Sequence, residues 1–539
     1  MISISKFIFN IITLIKIYNF NKNIFKEKKI SSNKKILCEF SGNKSNQVSF
    51  SYLVNFLRNK HGCSCIGYID AIDLNYFLKI KIFLQKNFNY LNYLIYKSFQ
   101  IDDFILISDN KAINKFTEKE IKKILPKLKY KTDLLKLRIK KVLIGDLIYD
   151  SYLKDHKIST IDLKSKNFIK FLKNNIKRFY YWDIFFKNNN VLHIIVSDTV
   201  YKGSIILRIA AFKKIISYQC NWDNIYKIDQ SNISAYGKFK YYKEEFAKLS
   251  KNQKSLALQV AKKRIEKRFK GIIGLDDMIY RNKTSFHSNY LNKNVLLRNK
   301  NTKILIASHC FLDAPHVYGP QHTIFPDFYE WLSYLYKISR ETNYEWYIKP
   351  HPDSYSDSDL ILMDFLKNKP EFNIIPKDTS HIQIVKEGID CVLSVYGTVG
   401  WEYAYFKVPV INATKNNPHT LFDFNLHAKD LKDYKNMILN FKKLKINFDK
   451  KNIYLFYFMH NLFTRSDWMF ESYEDVIKKI NGYGNLSTFD FYDYWINNFN
   501  IKKYNYINLK IDNFLSSNEN YMKNYNLIKN NNSMKALYI

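Results

Sequence analysis

Two short stretches of this sequence pair residue types that handle phosphate and protons. At 346–352 the run WYIKPHP sets Lys349 and His351 around two prolines. Proline cannot continue a sheet ladder and keeps its predecessor out of the helical region, so an apolar strand at 346–348 stops there and presents both side chains at its carboxyl end. A cation beside an imidazole suits a phosphate; the plainer alternative is a turn with a solvated lysine and a backbone-satisfied imidazole. At 394–398 the run SVYGT turns a strand through Gly397 straight into a helix start. Such a start offers unpaired backbone N–H groups and a partial positive charge. Gly397 allows close approach, and Ser394 or Thr398 adds a hydroxyl. Glu402, one turn in, is placed to accept from ribose hydroxyls, unless it is an ordinary helix glutamate.

Proton acceptors are the second requirement. After Gly145, Asp146 and Asp150 stand four apart and share one helix face, where two like charges repel unless a ligand or cation uses them. Helix capping accounts for Asp146 equally well. Asp198 and Glu39 close two other strands, so the candidate bases rank Asp146, Asp150, Asp198, Glu39. A long loop after 304–307 carries His309, Asp313, His316 and His322 toward the same cleft, but their spacing matches no metal motif and no metal is expected.

These residues need a scaffold that aligns strand ends. Short apolar strands at 36–38, 65–69, 192–196 and 215–218 alternate with helical patterns, one of them stopping at Gly62. The alternation is clearest in strands 304–307, 346–348, 372–375, 391–395 and 408–412, with helices at 359–366, 380–386 and 398–406 between them. Alternating elements with short connections imply parallel sheets with right-handed crossovers, whose ligands bind at strand carboxyl ends. The fold class is therefore α/β, with two Rossmann-like domains facing a cleft and without the G-x-G-x-x-G fingerprint. The expected divisions are an amphipathic segment 1–33, an acceptor-side domain 34–225, a helical connector and linker 226–300, a nucleotide-binding domain 301–485 and an Asn/Lys-rich tail 486–539. In the connector the charged face with Lys262, Lys263, Lys267 and Arg268 reads as solvated.

Composition narrows the function classes. With 539 residues, 46% hydrophobic, the chain is long enough for two cores. Its net charge of +36 comes from lysines spread along the whole sequence, so it reads as attraction to anionic membranes or phosphorylated substrates and not as a nucleic-acid face. Residues 2–20 are rich in Ile and Phe but interrupted by Lys6, Asn10, Lys16 and Asn19. They suit a helix lying on an anionic surface, or equally a plain core or surface helix, better than a membrane span or a cleaved signal. The six cysteines form no zinc or disulfide framework, as in a reducing cytoplasm.

Taken together, KPHP, SVYGTVGWE and KVPVIN resemble the nucleotide-binding half of GT-B glycosyltransferases that build bacterial surface polysaccharides. The stretch is similar to the group whose His-Pro motif binds the donor phosphate, which includes capsular Kdo transferases, polysialyltransferases and CDP-glycerol glycerophosphotransferases. IGDLIYDSYLK and IIVSDTVYKGSIILRIA resemble first-domain segments of capsule biosynthesis proteins. The resemblance implies that Lys349 and His351 bind donor phosphates, that Ser394 and Thr398 assist, that Glu402 holds the ribose, and that the base comes from the first domain. It also implies a nucleotide-sugar donor, a glycan or lipid-linked acceptor and no further cofactor, while the cysteines and the N-terminal segment give the expected place as the cytoplasm, at the inner face of the membrane. The acidic-acidic-glycine motif of the polysialyltransferases and the Ser-Ser-x-x-x-Asp pattern of the glycerophosphotransferases are both missing. A glycerophosphotransferase, a nucleotide-sugar epimerase and a basic membrane-associated scaffold are the alternatives.

Overall fold

The computed structural model describes residues 4–26, 28–87, 91–101, 103–272, 284–287, 290–291, 293–319, 322–470 and 472–529. The N-terminal sheet contains β1 (Lys35–Glu39), β2 (Ser64–Asp70) and β3 (Asp103–Ile107). A small hairpin follows, β4 (Arg138–Ile139) with β5 (Val142–Leu143), and then β6 (Val191–Val196), β7 (Ile216–Cys220) and β8 (Ile225–Ile228) complete the sheet. The C-terminal sheet contains β9 (Lys303–Ala307), β10 (Glu345–Lys349), β11 (Phe372–Ile374), β12 (Cys391–Ser394), β13 (Val410–Asn412) and β14 (Leu426–His427).

The two sheets share one topology. The first runs β3-β2-β1-β6-β7-β8, parallel except for the β7–β8 pair. The second runs β11-β10-β9-β12-β13-β14 and is parallel throughout. Within each domain that is the doubly wound order, whose direction reverses between the first and fourth strands. The reversal opens a crevice between β1 and β6 in one domain and between β9 and β12 in the other. Strands buried on both faces need continuous apolar runs, and every residue of β9 is buried.

Local signals fix the boundaries. Asn43 caps the helix Lys44–His61 by accepting from the Asn46 N–H, and Gly62 ends it with φ 62° in the left-handed region. Gly145 opens the helix Gly145–His156 against the β4–β5 hairpin, and a Cβ there would sit 1.7 Å from the Leu134 carbonyl oxygen. Only glycine fits that approach.

Three of the expected divisions take these places in the structure. The segment 1–33 is not separate: its helix Ile4–Ile24 buries Leu14 and Ile17 in the N-terminal core, with Ile8, Phe9, Ile12 and Ile15 left exposed on the other side. The 486–539 tail carries the helices Phe489–Asn498 and Ile501–Ser516, which send Phe491, Trp495, Ile507 and Ile511 into that same core. The N-terminal sheet runs past 225 to Ile228, and the connector helix Lys251–Phe269 belongs to the C-terminal side. There Ala257, Val260, Ala261 and Ile265 pack on the helix Lys450–Tyr457 and the π-helical turn Phe458–Phe463. Residues 273–283 of the expected connector and linker lie outside the described residues. Among the described residues no helix is long and apolar enough to cross a membrane.

Candidate functional site

The crevice between β9 and β12 holds a cavity of about 290 Å³. His309 follows β9, His351 follows β10, Ser394 ends β12, and Gly397 and Thr398 follow it, so five chemistry-bearing residues converge at strand carboxyl ends. The strand ends are tied together: the Ser308 N–H and hydroxyl both donate to the Lys349 carbonyl, at 3.1 and 3.0 Å. This fixes His309 and His351 on neighbouring strands.

Each imidazole is oriented by backbone. Nε2 of His309 accepts from the Val395 N–H at 3.1 Å, which leaves its ring proton on Nδ1. Burial, and then the neighbouring His351, hold His309 at a pKa of about 3, so it acts as a neutral donor. Nδ1 of His351 accepts from the Asp353 N–H at 3.2 Å, which puts the neutral ring's proton on Nε2. Ser394 is fully buried and its Oγ accepts from the Gly397 N–H at 3.3 Å, so it builds the turn. A Cβ on Gly397 would come within 3.2 Å of that Oγ and 3.6 Å of the His309 ring. The helix after the turn, Val399–Tyr405, has seven residues, so most of the polarity offered to an anion comes from imidazoles and turn amides and not from a helix dipole.

Glu402 lines this cavity but is paired with Arg268 of the connector helix. Arg268 is 6% exposed and lies over the rings of Trp401 and Phe286. The face expected to be solvated therefore buries its last arginine, because the carboxylate it meets is 134 residues away in sequence. Thr284, Ser285 and Phe286 of the expected linker also line the wall. His381 and His460 complete the lining, and neither carries a local sequence signal. Nδ1 of His460 sits 2.9 Å from the Tyr242 hydroxyl, on the π-helical turn.

Lys349 is placed elsewhere. Its ammonium is buried and donates to the Lys377 carbonyl at 2.7 Å. Burial lowers its pKa to about 8, with Asp378 opposing the shift and Lys377 adding to it. It ties the end of β10 to the backbone at Lys377 and does not line the cavity.

The carboxylates divide into two groups. Glu39 and Asp198 are engaged within their own domain: Glu39 accepts from the Ser197 N–H and hydroxyl at 2.6 and 2.7 Å, and Asp198 accepts from the Thr199 N–H at 2.6 Å. Asp146 and Asp150 face a second cavity, of about 230 Å³, lined from both domains by Arg208, Thr199, His316 and Asn416 among others. Their expected repulsion is answered by two separate partners. Asp146 Oδ2 accepts from Arg208 Nη2 at 2.7 Å. Asp150 grips His316 twice, at the ring Nδ1 (2.6 Å) and the backbone N–H (3.1 Å). Burial opposes charging of His316, but the Asp150 carboxylate, with Asp146 and Asp327 beyond it, outweighs burial and holds the imidazole above the usual histidine range. Tyr318 lines both cavities, so they adjoin.

Of the loop's other members, Asp313 lines the first cavity, and Nε2 of His322 lies 2.6 Å from the Pro315 carbonyl. Among the described residues no three His, Cys, Asp or Glu side chains converge as a metal site requires. All six cysteines are buried and none is in a disulfide.

Comparison with known proteins gives structural likeness only. No protein-family model matches the chain, and no curated protein sequence does. Among solved structures, the β-Kdo 2,4 transferase KpsC of Thermosulfurimonas dismutans aligns at 8% identity with a TM-score of 0.32, covering 50% of this chain and 79% of that one. The UDP-GlcNAc 2-epimerase of Methanocaldococcus jannaschii aligns at 12% identity and a TM-score of 0.23, over 78% of this chain and 95% of that one. The wall teichoic acid polymerase TagF aligns at 11% identity and a TM-score of 0.20, over 91% and 96%. Scores this low carry no function across, and the Rossmann-like reading of each domain rests on strand order.

Proposed function

We propose that the chain is a glycosyltransferase that takes a sugar from a nucleotide donor and passes it to a surface-type glycan without a metal. The observation that carries this is the convergence of His309, His351, Ser394 and Gly397 at the β9/β12 reversal. There a doubly wound sheet receives a nucleotide, and imidazole donors meet its phosphates. The donor's diphosphate lies against His351 Nε2, His309 Nδ1 and the turn at Gly397. The ribose lies toward Glu402, which Arg268 holds in place. As the bond to the anomeric carbon breaks, negative charge grows on the leaving phosphate, and donors already aimed at that point stabilise it without reorganising. The sugar projects toward Tyr318, where the first cavity meets the second.

Thermal shift against a panel of UDP, CDP and CMP sugars tests the reading. A ligand at 100 times its dissociation constant stabilises by about 2.7 kcal/mol, and the matched donor is then hydrolysed slowly by wild-type protein. Neither stabilisation nor hydrolysis with any of them would leave the chain a non-catalytic scaffold.

A further inference from the structure

The second cavity contains more unmet polarity than a structural interface explains. His316, Asp146 and Arg208 are 3%, 1% and 7% exposed and line it together. Among the described residues, four of their atoms have no hydrogen-bond partner: His316 Nε2, Asp146 Oδ1, and Arg208 Nε and Nη1. Buried polar atoms are nearly always paired, so a cluster of orphans around one cavity marks a place where a polar ligand completes the set. The chemistry of the set is specific. Asp146 Oδ1 accepts and Arg208 Nη1 donates, side by side, which matches sugar hydroxyls, since each hydroxyl both donates and accepts. His316 differs in that Asp150 occupies its Nδ1 and leaves Nε2 as an available lone pair whenever the ring is neutral.

Building on the transferase reading, we propose that this cavity binds the acceptor saccharide, with His316 Nε2 as the base for the attacking hydroxyl, Asp150 as the residue that positions it, and the Asp146–Arg208 pair as the hydroxyl-binding element. The acceptor oxygen bonds to the anomeric carbon while the bond from that carbon to the donor's phosphate oxygen breaks. The hydroxyl proton passes to Nε2, the nucleotide leaves with the electron pair, and the imidazolium returns its proton to solvent. Tyr318 marks where the two substrates meet. A base from the loop after β9 thereby replaces the aspartates ranked from the sequence: Asp150 has both oxygens on His316, and Asp146 serves Arg208.

The groups facing His316 are Asp150, the charges of Asp146 and Asp327, the Tyr149 ring at 5.3 Å and the His322 ring at 6.2 Å. Burial first, and then His316, keep His322 neutral with a pKa of about 3. The rate therefore rises with pH as His316 loses its proton.

The test uses the full chain and the nucleotide sugar found by thermal shift, with water and then neutral oligosaccharides as acceptors. His316→Gln is expected to lower turnover about 100-fold while donor-induced stabilisation stays at the wild-type level. Asp150→Asn should move the acidic limb of the pH–rate profile to lower pH, because the carboxylate that sustains the proton on His316 is gone. Arg208→Gln should raise KM for the oligosaccharide and leave donor affinity unchanged. If His316→Gln fails to fold, the Asp150→Asn profile and the Arg208→Gln KM decide. Wild-type rate and profile in the aspartate and histidine variants, or an unchanged acceptor KM in the arginine variant, would overturn the assignment. Absence of any donor turnover by wild-type protein would instead overturn the transferase reading beneath it.

Discussion

Oδ2 of Asp327 accepts the Tyr149 hydroxyl at 2.5 Å, so the residue that opens a helix of the C-terminal domain also holds a tyrosine of the N-terminal one. The same oxygen accepts from Thr160 at 2.6 Å, while Oδ1 caps the helix Phe328–Ser339 through the Glu330 N–H at 2.8 Å. With the Asp150–His316 pair, this puts two buried polar contacts across the gap between domains. Tyr149→Phe removes one hydrogen bond to a buried carboxylate and is expected to destabilise by about 1.5–3 kcal/mol. Asp327→Ala also loses the cap and orphans two hydroxyls, so its loss should exceed that of Tyr149→Phe. Urea unfolding of both variants checks the order, and a silent Tyr149→Phe would mean that the domains are held by other contacts.

The two halves of the KPHP run should behave differently on mutation. His351→Ala is expected to lower turnover about 100-fold with a smaller change in donor affinity, since its hydrogen bond strengthens as charge develops on the leaving phosphate. Lys349→Met should leave donor affinity within about twofold and lower stability by roughly 1–3 kcal/mol, because the Lys377 carbonyl loses its buried partner. Steady-state kinetics beside thermal melts separates the two, and a donor-affinity defect in Lys349→Met would return that residue to phosphate binding.

What the sequence made legible follows from the range of the interactions. Strands such as β9, β10 and β12 are written locally, as apolar runs closed by Gly, Pro or polar residues, and their alternation with helices was enough for fold class. The two-residue β14 has no such run and takes its conformation from pairing with β13. The site followed the same division. His351, Ser394 and Gly397 stand at strand ends that the local pattern marks. The pairing of Asp150 with His316 spans 166 residues and that of Arg268 with Glu402 spans 134, so no window of sequence contains either. Lys349 shows the converse limit, because the composition of a strand end suggests a role and tertiary packing decides where the side chain points.

The exposed stripe on the first helix gives a membrane prediction. Ile8, Phe9, Ile12 and Ile15 are exposed beside Lys16 and Lys22, while the opposite side is fixed in the N-terminal core. Fully burying an aliphatic side chain contributes about 1.5–3 kcal/mol, so replacing Ile8, Ile12 and Ile15 together by Asn should lower partitioning onto anionic phospholipid vesicles by tenfold or more. The core-facing Leu14 and Ile17 are untouched, so the fold should hold. Equal vesicle binding by the triple variant in a sedimentation assay would remove this helix from any membrane role.

The last prediction isolates one titrating group far from the site. His193 lies on β6, 7% exposed, and its Nδ1–H donates to the Ile216 carbonyl at 3.2 Å. Burial lowers its pKa to about 4, with the Ile216 bond opposing the shift and His61 and Lys34 adding to it. The folded value lies below the unfolded one, so between them the unfolded chain binds a proton that the native chain refuses. Stability from this residue is therefore complete above an unfolded pKa of about 6.5 and is lost as pH falls toward the folded value. At pH 5 the linkage amounts to about 2 kcal/mol. His193→Gln keeps an N–H donor and cannot take up the proton. Buried carboxylates with raised values titrate alike in both proteins and cancel in the difference. At pH 7.5 the variant should be no more stable than wild type, and by pH 5 the gap should close or reverse by about that amount. Urea melts of both proteins at pH 7.5, 6 and 5 measure it, and a stability difference that does not change with pH would show that the fold leaves the His193 pKa at its unfolded value.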